Sequence, residues 1–278
     1  MSESSTPHNA GQQDDSRKHR EWNRFSLRQR LTRFLSLAVS LIVVIVSWRF
    51  LDMNFYYMWT ASATIQDLLG RMFPPDIGYT HEIMGPLIET INMAIVGTIL
   101  AILLALPVAF LAARNTTPNK ITYGLGKFII SFTRSVNVII WALIFVVVFG
   151  PGALSGVLAL AMRSIGFVSK LLAEAIEEID PNQVEAIAAT GGSSFDILVY
   201  GIVPQIKPAF IGVATYRWDI NVRAATILGL VGAGGIGVQL NTSVNYFNWD
   251  AVLTILIAIL VIVAISEVVS AYFRSKTT

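Results

Sequence analysis

The 278-residue sequence contains no cysteine, only three histidines and few charged residues. Without cysteine the chain has no disulfide bonds, thiolate metal sites, iron–sulfur clusters or cysteine nucleophiles. The histidines, His8, His19 and His81, are spread through polar segments, which argues against a histidine metal centre. The chain also lacks the G-x-x-x-x-G-K-[ST] pattern of a phosphate-binding loop, so we do not expect it to bind ATP by that motif. We therefore predict neither a metal ion nor a cofactor.

Hydrophobic residues make up 54% of the sequence against 14% charged residues, and the mean hydropathy is +0.62. Charged residues in soluble domains are closer to a quarter, so this composition indicates a membrane protein. A helix needs about 20 apolar residues to cross a bilayer, and six runs approach or exceed that length. We therefore predict an all-α membrane protein with six transmembrane helices at about residues 34–51, 87–113, 129–149, 154–172, 206–231 and 252–273.

The distribution of basic residues predicts how the chain is oriented. Residues 1–33 hold seven basic and four acidic residues, a net charge of +3, and lack apolar periodicity until Leu27, which favours a flexible basic cytoplasmic tail. Lys and Arg in short connections are retained in the cytoplasm, and with both termini inside, the outer side collects only Arg49 and Arg71. We divide the chain into this tail, a first span with its outer loop at 34–85, and a transmembrane core at 86–273.

Residues 173–205 form the longest connection on the predicted inner side of the core. Asp180 suits the cap of a helix, Pro181 its first position, Gln183 a capping-box partner, and Gly191 its end. Ser193 and Asp196 form a second possible cap. These signals predict a short amphipathic helix at 181–191, which by shape alone is also compatible with an ordinary interfacial loop.

The spacing of residues in this connection resembles a known signature. Glu185-Ala186, then Gly191, and Pro204 thirteen positions further on follow the EAA-x3-G-x9-I-x-L-P pattern of ABC importer permeases, with Gly201 in the Ile position. The resemblance to the phosphonate-import permease family extends over roughly residues 86–273. It is carried by residues 89–94, 111–115, 141–146, 174–180 and 221–237, and it departs from the family at Asn137, where proline is expected.

The resemblance implies a type I ABC importer fold in the bacterial plasma (inner) membrane. In that family Glu185, Ala186, Gly191 and Pro204 would belong to a coupling helix that sits in a groove of the ATPase. The expected partners are an ABC ATPase dimer on the cytoplasmic face, an extracytoplasmic phosphonate-type binding protein, a second permease copy as homodimer or heterodimer, and the lipid bilayer, with no nucleic acid. The implied function is that of a non-catalytic permease subunit importing phosphonate, phosphite or phosphate by alternating access.

Several polar residues lie inside predicted spans, where an ionised side chain costs a few kcal/mol. Arg163 and Arg217 fall near the midplane, and the planar fork of arginine suits phosphate-like oxyanions. A structural alternative also stays open, in which Arg217 pairs with an acid such as Glu267 and neighbouring charges neutralise one another. The candidate substrate-pathway residues are Arg163, Arg217, Asp219, Asn221 and Arg223.

Residues 232–237 satisfy the G-x-G-x-x-G pattern of dinucleotide-binding folds. We reject that function because no βαβ unit surrounds the pattern. Close backbone packing or a pliable joint at the outer end of the fifth span is favoured, with Gly232, Gly234, Gly235 and Gly237 as the candidate residues. An ATP-independent secondary transporter or channel for small anions is the alternative function, although the sequence shows no internal repeat.

Overall fold

The computed structural model describes residues 26–52 and 54–276, and every regular element within them is helical. Short 3-10 turns at Ile77–Tyr79 and Gly229–Val231 and a π-helical turn at Ile197–Ile202 interrupt or extend the α-helices. The α-helices are α1 (Leu27–Phe50), α2 (Tyr56–Met72), α3 (Thr80–Ala112), α4 (Lys120–Ser135), α5 (Val138–Phe149), α6 (Ala153–Glu177), α7 (Pro181–Ala189), α8 (Ser194–Asp196), α9 (Val203–Leu228), α10 (Ile236–Asn245) and α11 (Trp249–Ser275).

The described residues divide into two compact units, one ending at Ala63 and the other beginning at Thr64. In the first unit, Ser26 accepts a hydrogen bond from the backbone of Gln29 in a complete capping box, and α1 begins at the next residue. The predicted flexible tail therefore extends too far, because residues 27–33 are helical; residues 1–25 lie outside the described residues. The helix α2 falls in a stretch that we predicted as part of an outer loop.

In the second unit α3, α6 and α9 pack together along their length, and small residues allow the close approach. A Cβ on Gly97 of α3 would lie 2.9 Å from the Cβ of Leu160 on α6. Ala94, Ala101 and Ala105 of α3 are fully buried, and their separations of seven and four residues place them on one helix face. In a bilayer, where lipid tails are as apolar as the helices, such small-residue faces drive helix association by close packing.

Within residues 26–52 and 54–276, five helical segments are long and apolar enough to cross a membrane: α1, the segment 77–112 around α3, α6, the segment 194–231 that contains α9, and α11. The third predicted span is wrong as a single helix, because α4 and α5 meet at 89°. Asn137 accounts for the break: its side chain accepts a hydrogen bond from the backbone of Ile139 (3.1 Å) and starts α5 there. The total of six spans holds if this bent pair is counted as one.

The remaining spans are longer than the apolar runs that predicted them. The helix α3 begins at Thr80, seven residues before the predicted start, and α6 continues to Glu177, five residues beyond the predicted end. Hydropathy marks only the apolar part of a helix, whereas polar first and last turns continue the same hydrogen-bond ladder.

Candidate functional site

The short helix α7 is anchored to the start of α9. The carboxylate of Asp180 caps α7 by accepting a hydrogen bond from the backbone of Asn182 (2.9 Å). The backbone N–H of Asp180 donates to Oε1 of Gln205 (2.8 Å), and Nε2 of Gln205 donates to the carbonyl of Gly201 (2.7 Å). Gln205 thus takes the place predicted for Gln183 in a capping box and ties the two helices together.

One face of α7 is packed and the opposite face is exposed. Val184 packs beside the buried cluster that contains Ile202, whereas Glu185 and Ala186 are exposed. The helix α7 ends at Ala189, two residues before the predicted end at Gly191, which has φ +80°, a left-handed conformation that favours glycine. The two residues at the start of the family signature therefore point away from the helical bundle.

The second half of the signature lies at the π-helical turn and the start of α9. A capping box between Ser193 and Asp196 is present as predicted. A Cβ on Gly201 would lie 3.6 Å from the Cα of Val184, an ordinary van der Waals distance. Pro204 is exposed in the first turn of α9, directly after the π-helical turn.

Arg217 is buried between α9 and α6, with 6% of its surface exposed. Its Nε donates to Oγ of Ser164 (2.7 Å), and its guanidinium lies over the ring of Phe167, 5.3 Å from the ring centroid. Among the described residues it has no carboxylate partner, and the predicted alternative of a pair with Glu267 is wrong because Glu267 approaches Arg223 instead. No described residue accepts a hydrogen bond from the two Nη groups of Arg217.

A chain of polar side chains continues from Arg217 across three helices. Oγ of Ser164 lies 3.1 Å from Oδ1 of Asn221, and Nδ2 of Asn221 donates to Oγ1 of Thr98 on α3 (2.9 Å). Thr98 in turn donates to the carbonyl of Ala94. Asn221 and Ser164 are fully buried, so this network fixes α9 against both α6 and α3.

Arg163 lies next to Ser164 on α6 and is half-buried. It makes no hydrogen bond or ion pair with the rest of the described chain, and its positive charge acts on that of Arg217. Neither of the two arginines forms an ion pair with a carboxylate among the described residues. An arrangement of this kind favours an anion as the missing partner.

Asp219 and Arg223 form a separate cluster between α9 and α11. Oδ2 of Asp219 accepts from Nη2 of Arg223 (2.6 Å), and Oδ1 accepts from Oγ of Ser266 on α11 (2.7 Å). Glu267 lies 3.9 Å from the same Nη2 atom of Arg223. These contacts support the structural alternative for Asp219 and Arg223, in which they neutralise one another and join two helices.

Comparison with known proteins identifies the family to which the chain belongs. The profile of the "Binding-protein-dependent transport system inner membrane component" family matches residues 97–278. The chain belongs to this family.

The relatives that this permease matches are named as transport proteins. It is 42% identical over 211 residues to the phosphite transport system permease protein PtxC of Stutzerimonas stutzeri, covering 76% of this chain and 77% of that protein. It is 38% identical over 251 residues to the phosphate-import permease protein PhnE of Mycolicibacterium smegmatis, covering 90% of this chain and 47% of that protein.

The fold of the permease is also found in solved structures. A chain of the MetNI methionine ABC transporter, solved in inward-facing conformations, aligns with a TM-score of 0.63 and 22% identity over 73% of this chain and 99% of that one. The permease thus has the fold of an ABC importer permease and is an inner-membrane protein with several membrane-spanning helices.

In the permease, the glycine loop, residues 232–235, is held against α3 and α6 by close contacts. The backbone of Gly152 donates to the carbonyl of Gly232 (2.9 Å), and the backbone of Ile236 donates to Oγ1 of Thr90 (2.8 Å). Gly232, Gly234 and Gly235 all have positive φ, and the residues before the loop are helical rather than in a strand.

Side chains on three of the four candidate glycines would collide with their surroundings, whereas a Cβ on Gly232 would lie 3.7 Å from its nearest neighbour, the Cβ of Pro151. A Cβ would lie 2.8 Å from the backbone N of Ala153 at Gly234, 2.7 Å from Oγ1 of Thr90 at Gly235, and 2.4 Å from the carbonyl O of Thr226 at Gly237. This geometry favours close packing over a pliable joint.

Sequence reasoning missed the neutral residues that hold the charged ones in the permease. Ser164, Thr98 and Ser266 each accept from or donate to a predicted site residue. They carry no charge and lie within the apolar runs that predict the spans, so charge and hydropathy do not single them out. Polar residues inside membrane-spanning segments tend to hydrogen-bond across helices, and that rule is the signal that would have found them.

Proposed function

We propose that this chain is the non-catalytic permease subunit of an importer for a small phosphorus oxyanion, namely phosphonate, phosphite or phosphate, driven by ATPases on other chains. The names of the two relatives support this substrate class. The observation that carries the proposal is the pair of arginines, Arg163 and Arg217, without a carboxylate partner among the described residues. The family name supports a substrate-binding protein as a further partner.

The depth of the arginine pair fits a pathway through the membrane. Arg163 is ten residues from the start of α6, about 15 Å along a helix of about 37 Å. Substrate sites of transporters tend to lie near the bilayer midplane. Ser164 uses Nε of Arg217, so the remaining donors of that guanidinium are free to bind two oxygens of a tetrahedral anion.

The exposed face of α7 suits contact with an ATPase. Glu185 and Ala186 lie on that face, and the contacts of Asp180 with Gln205 join α7 to the helix that carries Arg217. A displacement of α7 would therefore be passed to α9. Binding of ATP or of a loaded binding protein shifts the transporter between states only as far as each partner binds those states differently.

Reconstituted uptake tests the proposal. The permease is placed in proteoliposomes with its ATPase and binding protein, and uptake of phosphonate, phosphite and phosphate is measured alone and in competition. Uptake that requires ATP is expected, and absence of uptake for all three anions would exclude this substrate class. ATP-independent uptake would instead support a secondary transporter or channel.

Charge-removing substitutions test the pathway separately from the substrate. Arg163→Gln and Arg217→Gln are expected to reduce uptake, because each removes one of the two charges that attract the anion. Lys170→Gln serves as the control, since Lys170 lies on the same helix α6 and pairs with Glu174 (3.5 Å) one turn later. Unchanged uptake in both arginine variants would refute the pathway role.

A further inference from the structure

The break between α4 and α5 exposes polar residues. Arg134 and Ser135 end α4, Asn137 caps α5, and all three are exposed. Ser135 donates to the carbonyl of Phe132 and Asn137 accepts from the backbone of Ile139, so both of these side chains serve the helix ends. Arg134 makes no hydrogen bond or ion pair with any other described residue.

Contacts with α6 place Arg134 about halfway along that helix. A Cβ on Gly166 would lie 2.8 Å from Cγ of Arg134 and 2.7 Å from the carbonyl O of Ile130. Gly166 is 13 residues from the start of α6 at Ala153 and 11 residues from its end at Glu177, hence about 20 and 17 Å from the two ends. Arg134 is therefore near the middle of this span.

A second set of contacts also places Arg134 well away from the ends of α3 and α6. A Cβ on Gly126 would lie 2.8 Å from the backbone N of Ala112, so the middle of α4 meets the end of α3. Asn115 just beyond that end donates to the carbonyl of Ile176, at the corresponding end of α6. From Gly126 to Arg134 the helix advances eight residues, about 12 Å along its axis.

Two physical arguments exclude a lipid environment for this surface. An ionised arginine at the centre of the hydrocarbon is costly and needs a partner or water. Non-helical backbone at membrane depth is tolerated only where protein buries it or where it borders a water-filled cavity. Arg134 has no partner among the described residues and therefore needs water. The backbone at the Asn137 junction is exposed and, for a separate reason, needs to border a water-filled cavity.

We infer that Arg134 lines the water-filled anion pathway at the α4–α5 break, as a third cationic group beside Arg163 and Arg217. Its neighbour Gly166 is three residues, less than one helical turn, from Arg163 on α6. This inference rests on the proposed function and adds a residue and a path to it. The cation acts by attracting the anion electrostatically and needs no fixed partner in the absence of substrate.

Cysteine labelling tests this inference well because the chain has no cysteine of its own. Arg134→Cys and the nearly isosteric Ser135→Cys are prepared in the assembled complex in lipid vesicles. Each is treated, from both sides of the membrane, with a sulfonate-bearing and a trimethylammonium-bearing methanethiosulfonate reagent. The control is Val147→Cys, because the side chain of Val147 on α5 is 85% exposed within an apolar helix.

We expect both reagents to label the two break variants and to leave the Val147 variant unlabelled. The ratio of anionic to cationic labelling rates should be at least about threefold higher than for free cysteine, because Arg163 and Arg217 remain in place. Added phosphite should slow labelling. Absence of labelling in both break variants would overturn the water-filled path, and a rate ratio equal to that of free cysteine would overturn its cationic character.

Uptake by the same vesicles separates this inference from the proposed function. Arg134→Gln is expected to lower uptake at limiting anion concentration by at least about fivefold, and Arg134→Lys is expected to restore most of it because it keeps the charge. Wild-type uptake with no labelling at the break would refute the role of Arg134 while the proposed function stands. Labelling with no uptake of any phosphorus oxyanion would refute the proposed function instead.

Discussion

Ser164 joins two of the candidate pathway residues, and Ser164→Ala tests whether that junction matters. Its hydroxyl accepts from Nε of Arg217 and lies within hydrogen-bond distance of Oδ1 of Asn221. Alanine removes one atom and leaves both partners buried. Ser169→Ala is a matched control, because Ser169 is also fully buried on α6 but donates only to the carbonyl of Ala105 (3.1 Å).

The expected magnitudes follow from the hydrogen bonds that each substitution removes. Interhelical hydrogen bonds in membrane proteins contribute about 0.6 kcal/mol on average and up to about 1.7 kcal/mol. Ser169→Ala should therefore lower the free energy of unfolding by about 0.6 kcal/mol. Ser164→Ala should lower it by about 2 kcal/mol, because it also leaves the buried donor of Arg217 unpaired.

Two assays check these values. Unfolding in mixed detergent micelles compares the two variants, and concentration-dependent uptake compares their half-saturating anion concentrations. If Arg217 is no longer held in place and anion binding weakens by about 1 kcal/mol, the half-saturating concentration for Ser164→Ala rises about fivefold. Ser169→Ala should leave it unchanged. Equal stability and equal uptake in the two variants would refute the role we give to the junction.

Three further predictions concern packing, ion pairing and assembly. Gly237→Ala should lower the free energy of unfolding by about 2 kcal/mol, because its Cβ would meet a carbonyl oxygen of α9 at 2.4 Å, whereas Gly212→Ala, with open space around it, should be neutral or stabilising by the same unfolding assay. Asp219→Asn should lower the free energy of unfolding by about 1–2 kcal/mol. Asp67→Asn, which removes a charge from an exposed i,i+4 pair, should leave it nearly unchanged, and equal losses in the two variants would contradict the reasoning. Glu185→Ala should reduce copurification of the partner ATPase while leaving the unfolding midpoint unchanged, and undiminished copurification would exclude an ATPase contact there.

Local signals predicted the connecting segments well. The helix α7 begins at Pro181 after the Asp180 cap as the sequence indicates, and the capping box at Ser193 is present. These features depend on hydrogen bonds between residues two or three positions apart, so a short stretch of sequence determines them. The partner of the Asp180 backbone is different, because Gln205 is 25 positions away and no local pattern reveals it.

The break between α4 and α5 was missed for a related reason. Apolar residues continue through it, and hydropathy does not measure the direction of a helix axis. The only local signal was Asn137, where the family resemblance led us to expect proline; both residues suit the start of a helix. The carboxylate-free pair of Arg163 and Arg217 likewise depends on which helices become neighbours, and composition gives no information on that.

The positions of the two polar clusters on α9 bear on how movement of α7 would reach the pathway. Asn221 ties α9 to α6 and α3 through hydrogen bonds, and Asp219 ties it to α11 through Ser266. A helix bonded on both sides at the same level does not slide past its neighbours without breaking buried hydrogen bonds. We therefore expect a displacement of α7 to move α9 together with these neighbours as one body. Under this reasoning the helix surfaces that separate during transport are those without buried interhelical hydrogen bonds. The exposed surface at the α4–α5 break beside Arg134 is one of them.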